Sequence, residues 1–267
     1  MTASPITSYQ EFHLDDLLSA ALKRALREVN PDKEGLQRLF SRGGEFQDYF
    51  VAGIHRFCAL APDYTLAKKI LGGDFVTPEE IMLKCGVSYS PEQIVTLGSQ
   101  LPSENLLRHL KENGFALVAP PPVELSLLDI RAHRPDLFYL KEGWYSDKRE
   151  KFSREDKTGC GWIMIRKTQI PNSTYKKWNE QQLLLAGVES VPNVAEMAWF
   201  ITTFYQVRGV RLFQGDYVRT SSLSSGNSHT DINRVNVGGF GARGLAVSYY
   251  WADHPVSYLG IACARKF

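Results

Sequence analysis

The sequence lacks a hydrophobic run of about 18 residues, the length that a membrane-spanning helix requires, so we expect no membrane partner. Its first residues, Met1 to Glu11, have neither a basic start nor an apolar stretch. This argues against a secretory signal and predicts a cytoplasmic protein. Of the 267 residues, 43% are hydrophobic and 22% are charged. That composition excludes a disordered chain, a collagen and a coiled-coil rod, and is typical of a soluble globular protein.

Cysteine is scarce, with four residues: Cys58, Cys85, Cys160 and Cys263. None belongs to a Cys-x-x-Cys pair, and none has the spacing to a histidine that zinc ligands show. Four cysteines could form two disulfides. Without a secretory signal, however, we expect free, mostly buried thiols. The sequence predicts neither a metal ion nor a cofactor.

The net charge of the whole chain is only +2, but the charge is unevenly distributed. Residues 1–150 carry 17 basic and 21 acidic side chains, whereas residues 151–267 carry 14 basic and 8 acidic ones. The basic C-terminal half leaves an anionic partner open, beside purely local pairing of its arginines. The helix predicted at residues 104–113 has only Arg108 and Lys111 as basic groups, which argues against DNA binding through it.

The N-terminal part of the chain has the periodicity and the start signals of helices. Apolar stripes at helical spacing are present at residues 14–25, 36–40 and 46–60. Asn30-Pro31 ends the first of these helices. Four capping signals then predict short helices beginning at Thr77, Ser90, Ser103 and Ser126. Residues 1–120 are therefore predicted to be a helical region.

From Gly161 onwards the pattern changes to short strands around two helices, predicted to begin at Asn172 and Asn193. Strand-like runs occupy residues 162–165, 211–213, 217–219, 234–237, 245–251 and 261–264. Residues 134–160 are predicted to be an exposed loop or hairpin, and Gly238 to Gly241 a hairpin turn. The whole pattern predicts an α+β protein. Its parts are a helical region at 1–120, a connecting segment at 121–160, and a domain at 161–267 with a twisted, loop-rich antiparallel sheet.

Four C-terminal segments carry a family resemblance: residues 216–222 (DYVRTSS), 235–240 (VNVGGF), 244–247 (GLAV) and 260–267 (GIACARKF). Together they resemble the C-type-lectin-like fold over about residues 161–267. They are most similar to its bacterial and phage versions, which are related to the sulfatase-modifying (formylglycine-generating) domain. The whole chain also resembles uncharacterised bacterial proteins, some of them prophage-borne.

The resemblance does not bring the chemistry of these families with it. Calcium-dependent lectins use a Trp-Asn-Asp segment, but here Ala252 stands between Trp251 and Asp253 in place of the amide ligand. Val191-Pro192-Asn193 superficially resembles their Glu-Pro-Asn segment, yet works better as a helix cap. The sulfatase-modifying enzymes hold copper with two cysteines, whereas Cys263 is the only cysteine after Cys160. Neither calcium nor copper is therefore expected.

The loops after residue 215 combine rigid aromatic residues with small polar residues and arginines, as recognition surfaces do. The sequence therefore favours a non-catalytic module that binds a ligand or a protein. The candidate binding residues are Arg219, Ser221, Asn227, His229, Asn236, Arg243, Tyr250, Trp251, Asp253 and His254. Core packing of alternate residues in Tyr249-Tyr250-Trp251 stays open as the plain alternative.

Two other functions also stay open. One is an enzyme with an unrecognised site between the two halves of the chain. A Ser/His/Asp triad can be drawn on paper from Ser221–Ser225, His229 or His254, and Asp231 or Asp253, but no nucleophile-elbow motif supports it. The other is nucleic-acid binding through the basic C-terminal half, which predicts strongly salt-dependent retention of DNA.

Overall fold

The computed structural model of the chain describes residues 8–44, 62–139, 143–225 and 232–265. The chain forms two compact units, Met1–Cys58 and Ala59–Phe267. The apolar stripe predicted at residues 46–60 lies outside the described residues, as do the candidate binding residues Asn227 and His229. None of the described helices combines the length and the apolarity that crossing a bilayer requires.

The described part of the first unit contains two helices, α1 (Ser8–Val29) and α2 (Lys33–Ser41), which confirms both predicted elements. They are separated where Asn30 takes a positive φ of 41° and Pro31 follows. The Asp32 carboxylate then accepts a hydrogen bond from the Gly35 N–H at 2.6 Å and caps α2.

The second unit begins with the four helices α3 (Thr65–Leu71), α4 (Pro78–Cys85), α5 (Pro91–Ser99) and α6 (Glu104–Glu112). The predicted capping signals place three of their starts. Thr77 forms a reciprocal capping box with Glu80, and Ser90 forms one with Gln93. Ser103 caps α6 through its hydroxyl oxygen.

Further along, the helices are α7 (Leu127–His133), α8 (Phe152–Glu155), α9 (Trp178–Gln182) and α10 (Val194–Arg208). The nine described strands are β1 (Phe75–Val76), β2 (Phe115–Val118), β3 (Ile163–Arg166), β4 (Glu189–Ser190), β5 (Tyr217–Leu223), β6 (Asn233–Gly241), β7 (Gly244–Trp251), β8 (Leu259–Ile261) and β9 (Ala264–Arg265). Helices and mixed sheets together make this an α+β protein, as predicted.

The first sheet has the strand order β1-β2-β3-β9-β4. β1 and β2 pair in parallel, and the other neighbours are antiparallel. β2 lies before residue 120 but pairs along its whole length with β3, which lies after residue 160. Backbone hydrogen bonds therefore cross both of the domain boundaries predicted from the sequence.

The second sheet has the strand order β7-β6-β5-β8. β7, β6 and β5 are antiparallel neighbours, but β8 is parallel to β5, so the antiparallel sheet predicted from the sequence is in fact mixed. The reason is the connection at residues 252–258, which carries the chain from one edge strand to the other instead of turning back at once. Such a crossover makes the strands that it joins parallel.

Helix α10 is the centre of the core. Asn193 and Glu196 form its capping box, and Gly209 ends it in the left-handed conformation, both as predicted. It contacts α4, α7 and strands of both sheets, and its residues Val194 to Phe204 are buried apart from Glu196. The Trp199 indole N–H donates to the Ala119 carbonyl at 3.0 Å, so even the polar edge of this large side chain is satisfied.

Several local predictions differ from the structure. Residues 211–213 form a turn, in which Phe213 has a positive φ of 54°, instead of a strand. The helix predicted from Asn172 is reduced to α9, because Asn172 and Tyr175 both take positive φ values. Residues 143–155 form short helical turns that bury Tyr145 and Phe152, whereas an exposed loop was expected.

The predicted hairpin turn at Gly238 to Gly241 is wrong, since these residues end β6 and the turn to β7 follows them. Their glycine content has a steric cause. A Cβ atom at Gly238 would lie 2.0 Å from the Asp216 carbonyl oxygen on the neighbouring chain segment. Gly238 therefore permits a close backbone approach at an irregularity in the β6–β7 pairing.

We predict that Gly238→Ala destabilises the second unit by about 1–3 kcal/mol or more, because the contacting atoms belong to the backbone and cannot move aside. Chemical denaturation of the full chain measures this change. Gly215→Ala is the control, since its Cβ atom would meet no atom within 4 Å. Equal stability of the two variants would contradict the assignment.

Candidate functional site

A group of ring-bearing side chains and one arginine lies at the β6–β7 end of the second sheet. We call Trp178, Arg234, Tyr250, Trp251 and His254 the aromatic surface. The ring centroids of Tyr250, Trp251 and His254 lie 5.5–6.2 Å from one another. Tyr250 stands opposite Arg234 in the strand register, and the Arg234 guanidinium lies 4.1 Å from the centre of the Trp178 ring. Trp251 is half exposed, whereas Trp178 is buried beneath Arg234.

Arg219 lies under the backbone of this surface and is completely buried. Its Nη2 atom donates hydrogen bonds to the Trp251 carbonyl at 3.0 Å and to the His254 carbonyl at 2.7 Å. Its Nη1 atom donates to the Lys176 carbonyl at 3.1 Å and to Gln181 Oε1 at 2.8 Å. One guanidinium therefore ties β5, the segment before α9 and the start of the crossover together.

All four of these acceptors are neutral oxygen atoms. Burial lowers the pKa of Arg219 to about 10, so the side chain is still cationic at neutral pH. The Gln181 amide is held in register because its Nε2 atom donates to the carbonyls of Ser173 and Leu259, at 2.7 and 3.0 Å. The amide oxygen is consequently directed at Arg219, which makes the network rigid.

The structure brings together half of the candidate binding residues. Arg219, Tyr250, Trp251 and His254 meet as described, and Asn236 stands opposite Arg219 in the strand register. Asn236 is buried, so it belongs to the polar layer beneath the surface. Core packing, the plain alternative, is not found for Tyr249, which is exposed although its ring centroid lies 4.7 Å from that of Trp144.

Three other candidates lie apart from this group or contribute only through the backbone. The Ser221 carbonyl accepts a hydrogen bond from Arg234 Nη1 at 2.8 Å. Arg243 lies in the β6–β7 turn, where its guanidinium is 4.6 Å from the centre of the Tyr139 ring. Asp253 is exposed between Trp251 and His254 in the chain.

Sequence reasoning missed two members of the aromatic surface, Trp178 and Arg234. Arg234 shares the side of β6 with Asn236, and this spacing of two was a usable signal. No local sequence pattern indicated Trp178. Its position depends on a long-range hydrogen bond from its backbone N–H to the Ala252 carbonyl at 2.8 Å.

The edge strand β7 is covered along half of its length. The Tyr139 N–H donates to the Leu245 carbonyl at 3.0 Å, and the Trp144 indole N–H donates to the Val247 carbonyl at 2.9 Å. These contacts occupy backbone groups that an added strand would need. These contacts therefore block an added strand at Leu245 to Val247.

The serine residues considered for a hydrolytic triad have other partners. Ser222 donates its hydroxyl hydrogen to the Asp156 carboxylate and accepts the Val194 N–H at 2.9 Å. Ser224 bonds to Glu150 Oε1 at 3.2 Å. Within the described ranges, no serine hydroxyl is hydrogen-bonded to His254, and no three His, Cys, Asp or Glu side chains cluster as metal ligands.

The chain matches no model of a known protein family, and neither a curated protein nor a solved structure shows significant similarity to it. The resemblance to the C-type-lectin-like fold therefore stays a prediction.

We predict that Arg219→Met destabilises the protein by about 3 kcal/mol or more, because it leaves four buried oxygen atoms without their donor. Urea denaturation measures the loss, and amide hydrogen exchange should rise at residues 251–254. Arg243→Met is the matched control, since that guanidinium lies at an exposed site and its loss should cost about 1 kcal/mol or less. A loss at Arg219 no larger than at Arg243 would refute the network.

We also predict a pH effect at Asp156. Burial raises the pKa of this carboxyl group, against the opposing effect of the Ser222 hydrogen bond. The folded state therefore holds the proton to higher pH than the unfolded state, and stability falls as pH rises above the ordinary carboxyl pKa. Asp156→Asn should raise the free energy of unfolding at pH 7 and lose this advantage towards pH 4. The exposed Asp136→Asn is the control, and a variant difference independent of pH would contradict the assignment.

Proposed function

We propose that this protein is a non-catalytic binding module that recognises a protein partner through its aromatic surface. The observation that carries the proposal is the half-exposed Trp251, whose backbone carbonyl is held by a buried arginine. A rigid anchor of this kind loses little conformational entropy on binding. The proposal includes a C-type-lectin-like domain in a cytoplasmic protein of bacterial or prophage origin.

The residue types of the surface favour a protein over a carbohydrate or a metal-bound ligand. Tryptophan, tyrosine and arginine are the residues that dominate binding energy at protein interfaces. Here Arg234, Tyr250 and Trp251 supply all three types next to one another, and the buried Trp178 packs against Arg234. Calcium-dependent sugar binding is not supported, because Ala252 is buried and has no ligand atom in its side chain.

The arginines of the C-terminal half do not favour a nucleic acid. Arg208 binds Glu80 at 2.7 Å and the carbonyls of Gly73 and Phe75, so its charge is neutralised within the fold. Arg211 donates to the Gly241 carbonyl at 2.6 Å. The charge of Arg208 is therefore not available to neutralise phosphates, which is the main source of affinity for nucleic acids, and the Arg211 side chain is tied to the backbone.

A peptide-display selection on the purified full chain tests the proposal. We expect selected peptides whose Kd rises about 30-fold on Trp251→Ala, as for a central interface tryptophan. Tyr258→Ala is the matched control, because it removes an aromatic side chain of similar exposure, 49%, next to β8 at the far edge of the same sheet. Its Kd values should stay within about twofold.

Thermal denaturation first establishes that both variants fold. If no selected peptide depends on Trp251, the proposal is wrong. Trp251-dependent binding of oligosaccharides on a glycan array, without such peptides, would replace the protein partner by a carbohydrate.

A further inference from the structure

The charge of one member of the aromatic surface, Arg234, is not balanced by an ion pair with any of the described residues. Its Nη1 atom donates to a neutral oxygen, the Ser221 carbonyl, at 2.8 Å. Its Nε atom is buried and has no hydrogen-bond partner. Its Nη2 atom has no acceptor in this part of the chain either but, unlike Nε, it is not buried. Arg234 therefore keeps N–H donors that a group from outside the protein can use.

Neighbouring groups hold this guanidinium in place. It lies 4.1 Å from the centre of the buried Trp178 ring, which is a cation–π contact. On the adjoining strands, Leu223 stands opposite Arg234 on one side and Tyr250 on the other. The hydrogen bond to the Ser221 carbonyl fixes the group at a second point. Little conformational entropy is therefore left to lose when a ligand binds to it.

The partial burial of Arg234 leaves its charge incompletely stabilised. Burial lowers the pKa of Arg234, but a guanidinium group stays protonated at neutral pH. A charge that has lost part of its water is best stabilised by an opposite charge, whereas its contacts here are a neutral carbonyl and a ring face. A carboxylate is the matching group, because it is anionic and can accept more than one N–H from the same guanidinium.

The other charges beside the surface agree with an anionic ligand. Lys176 and Lys177 directly precede Trp178, and neither forms an ion pair with the residues that the structure describes. The Glu180 carboxylate is already engaged, since it accepts the Lys177 N–H at 2.7 Å. The exposed Asp253 is the other acidic side chain near these residues in the described part of the chain. Together with the guanidinium above, the balance is positive, which favours an acidic partner.

We infer that the partner presents an acidic segment, in which a side-chain carboxylate binds Arg234 while an apolar side chain packs on Trp251. This inference rests on the proposed function and specifies the chemistry of the partner. Tyr250 stands opposite Arg234, and Trp251 follows Tyr250 in the chain. The two contacts are therefore about 10 Å apart or less, which residues up to about three positions apart in an extended segment can span.

Titration of the full chain with defined peptides tests this inference. The probes are nonapeptides of glycine and serine with a central tryptophan and with glutamate, glutamine or lysine placed one, two or three positions away. Acetylated and amidated ends restrict the carboxylates to side chains. At the best spacing we expect the glutamate peptide to bind about five- to tenfold more tightly than its glutamine analogue, which has the same shape without the charge. The lysine peptide should bind more weakly than either.

Variants of the protein locate this preference. Arg234→Met keeps an aliphatic stem against Trp178, and it should reduce the ratio of the glutamine and glutamate Kd values to about one. Arg243→Met is the matched control, because it makes the same substitution at the opposite end of the β6–β7 hairpin and should keep the ratio of the unaltered protein. Arg234→Lys retains the charge without the planar fork, so a smaller preference for glutamate should remain. This variant also decides the matter if Arg234→Met does not fold.

The ratio separates recognition from support, because a purely structural Arg234 would change the affinity of all the peptides equally. Trp251-dependent binding with equal Kd values for the glutamate and glutamine peptides would overturn this inference and leave the proposed function standing. A preference for glutamate that neither Arg234 variant reduces would do the same. If no peptide binds in a Trp251-dependent manner, this inference and the proposed function are both wrong.

Discussion

The second sheet and its aromatic surface depend on the burial of one cation, Arg219. Its guanidinium group is held by carbonyl and amide oxygens from two separate chain segments, residues 176–181 and 251–254, instead of by a carboxylate. Removing a charge from water is costly, and neutral acceptors offset this cost only when all of them are well placed. The positions of the segment before α9 and of the crossover at residues 252–258 are therefore coupled through one side chain. This coupling gives the backbone of Trp251 and His254 a fixed support.

β9, the last described strand, connects the strands of the first sheet in the second unit. β9 lies between β3 and β4, and it pairs with both of them. Helix α10 contacts strands of both sheets, so one buried helix packs against both of them. The first sheet therefore joins β2, which precedes residue 120, to β3, β9 and β4, which follow residue 160. Long-range pairing of this kind gives many non-local contacts, which become favourable only when the whole unit has assembled.

The sequence predicted the local features of the fold well and its long-range features poorly. The capping boxes at Thr77, Ser90 and Asn193 depend on residues three positions apart, so their signals are complete within a short window. Strands of two residues, such as β1 and β4, have no periodicity that a pattern could show. The parallel pairing of β8 depends on where a seven-residue connection crosses the sheet, and Gly238 depends on a backbone segment far away in the chain. No local pattern records either feature.

The candidate site shows the same difference between local features, which the sequence indicates, and long-range features, which it does not. Tyr250, Trp251 and His254 are neighbours in the chain, so their composition alone indicated a recognition surface. Trp178 reaches them only through tertiary structure, and Asn236 turned inward because its strand register sets it opposite the buried Arg219. The aromatic surface rests on a cation whose donors are largely used within the fold, so Arg219 supports the backbone of Trp251 and His254 and is not itself exposed to a ligand.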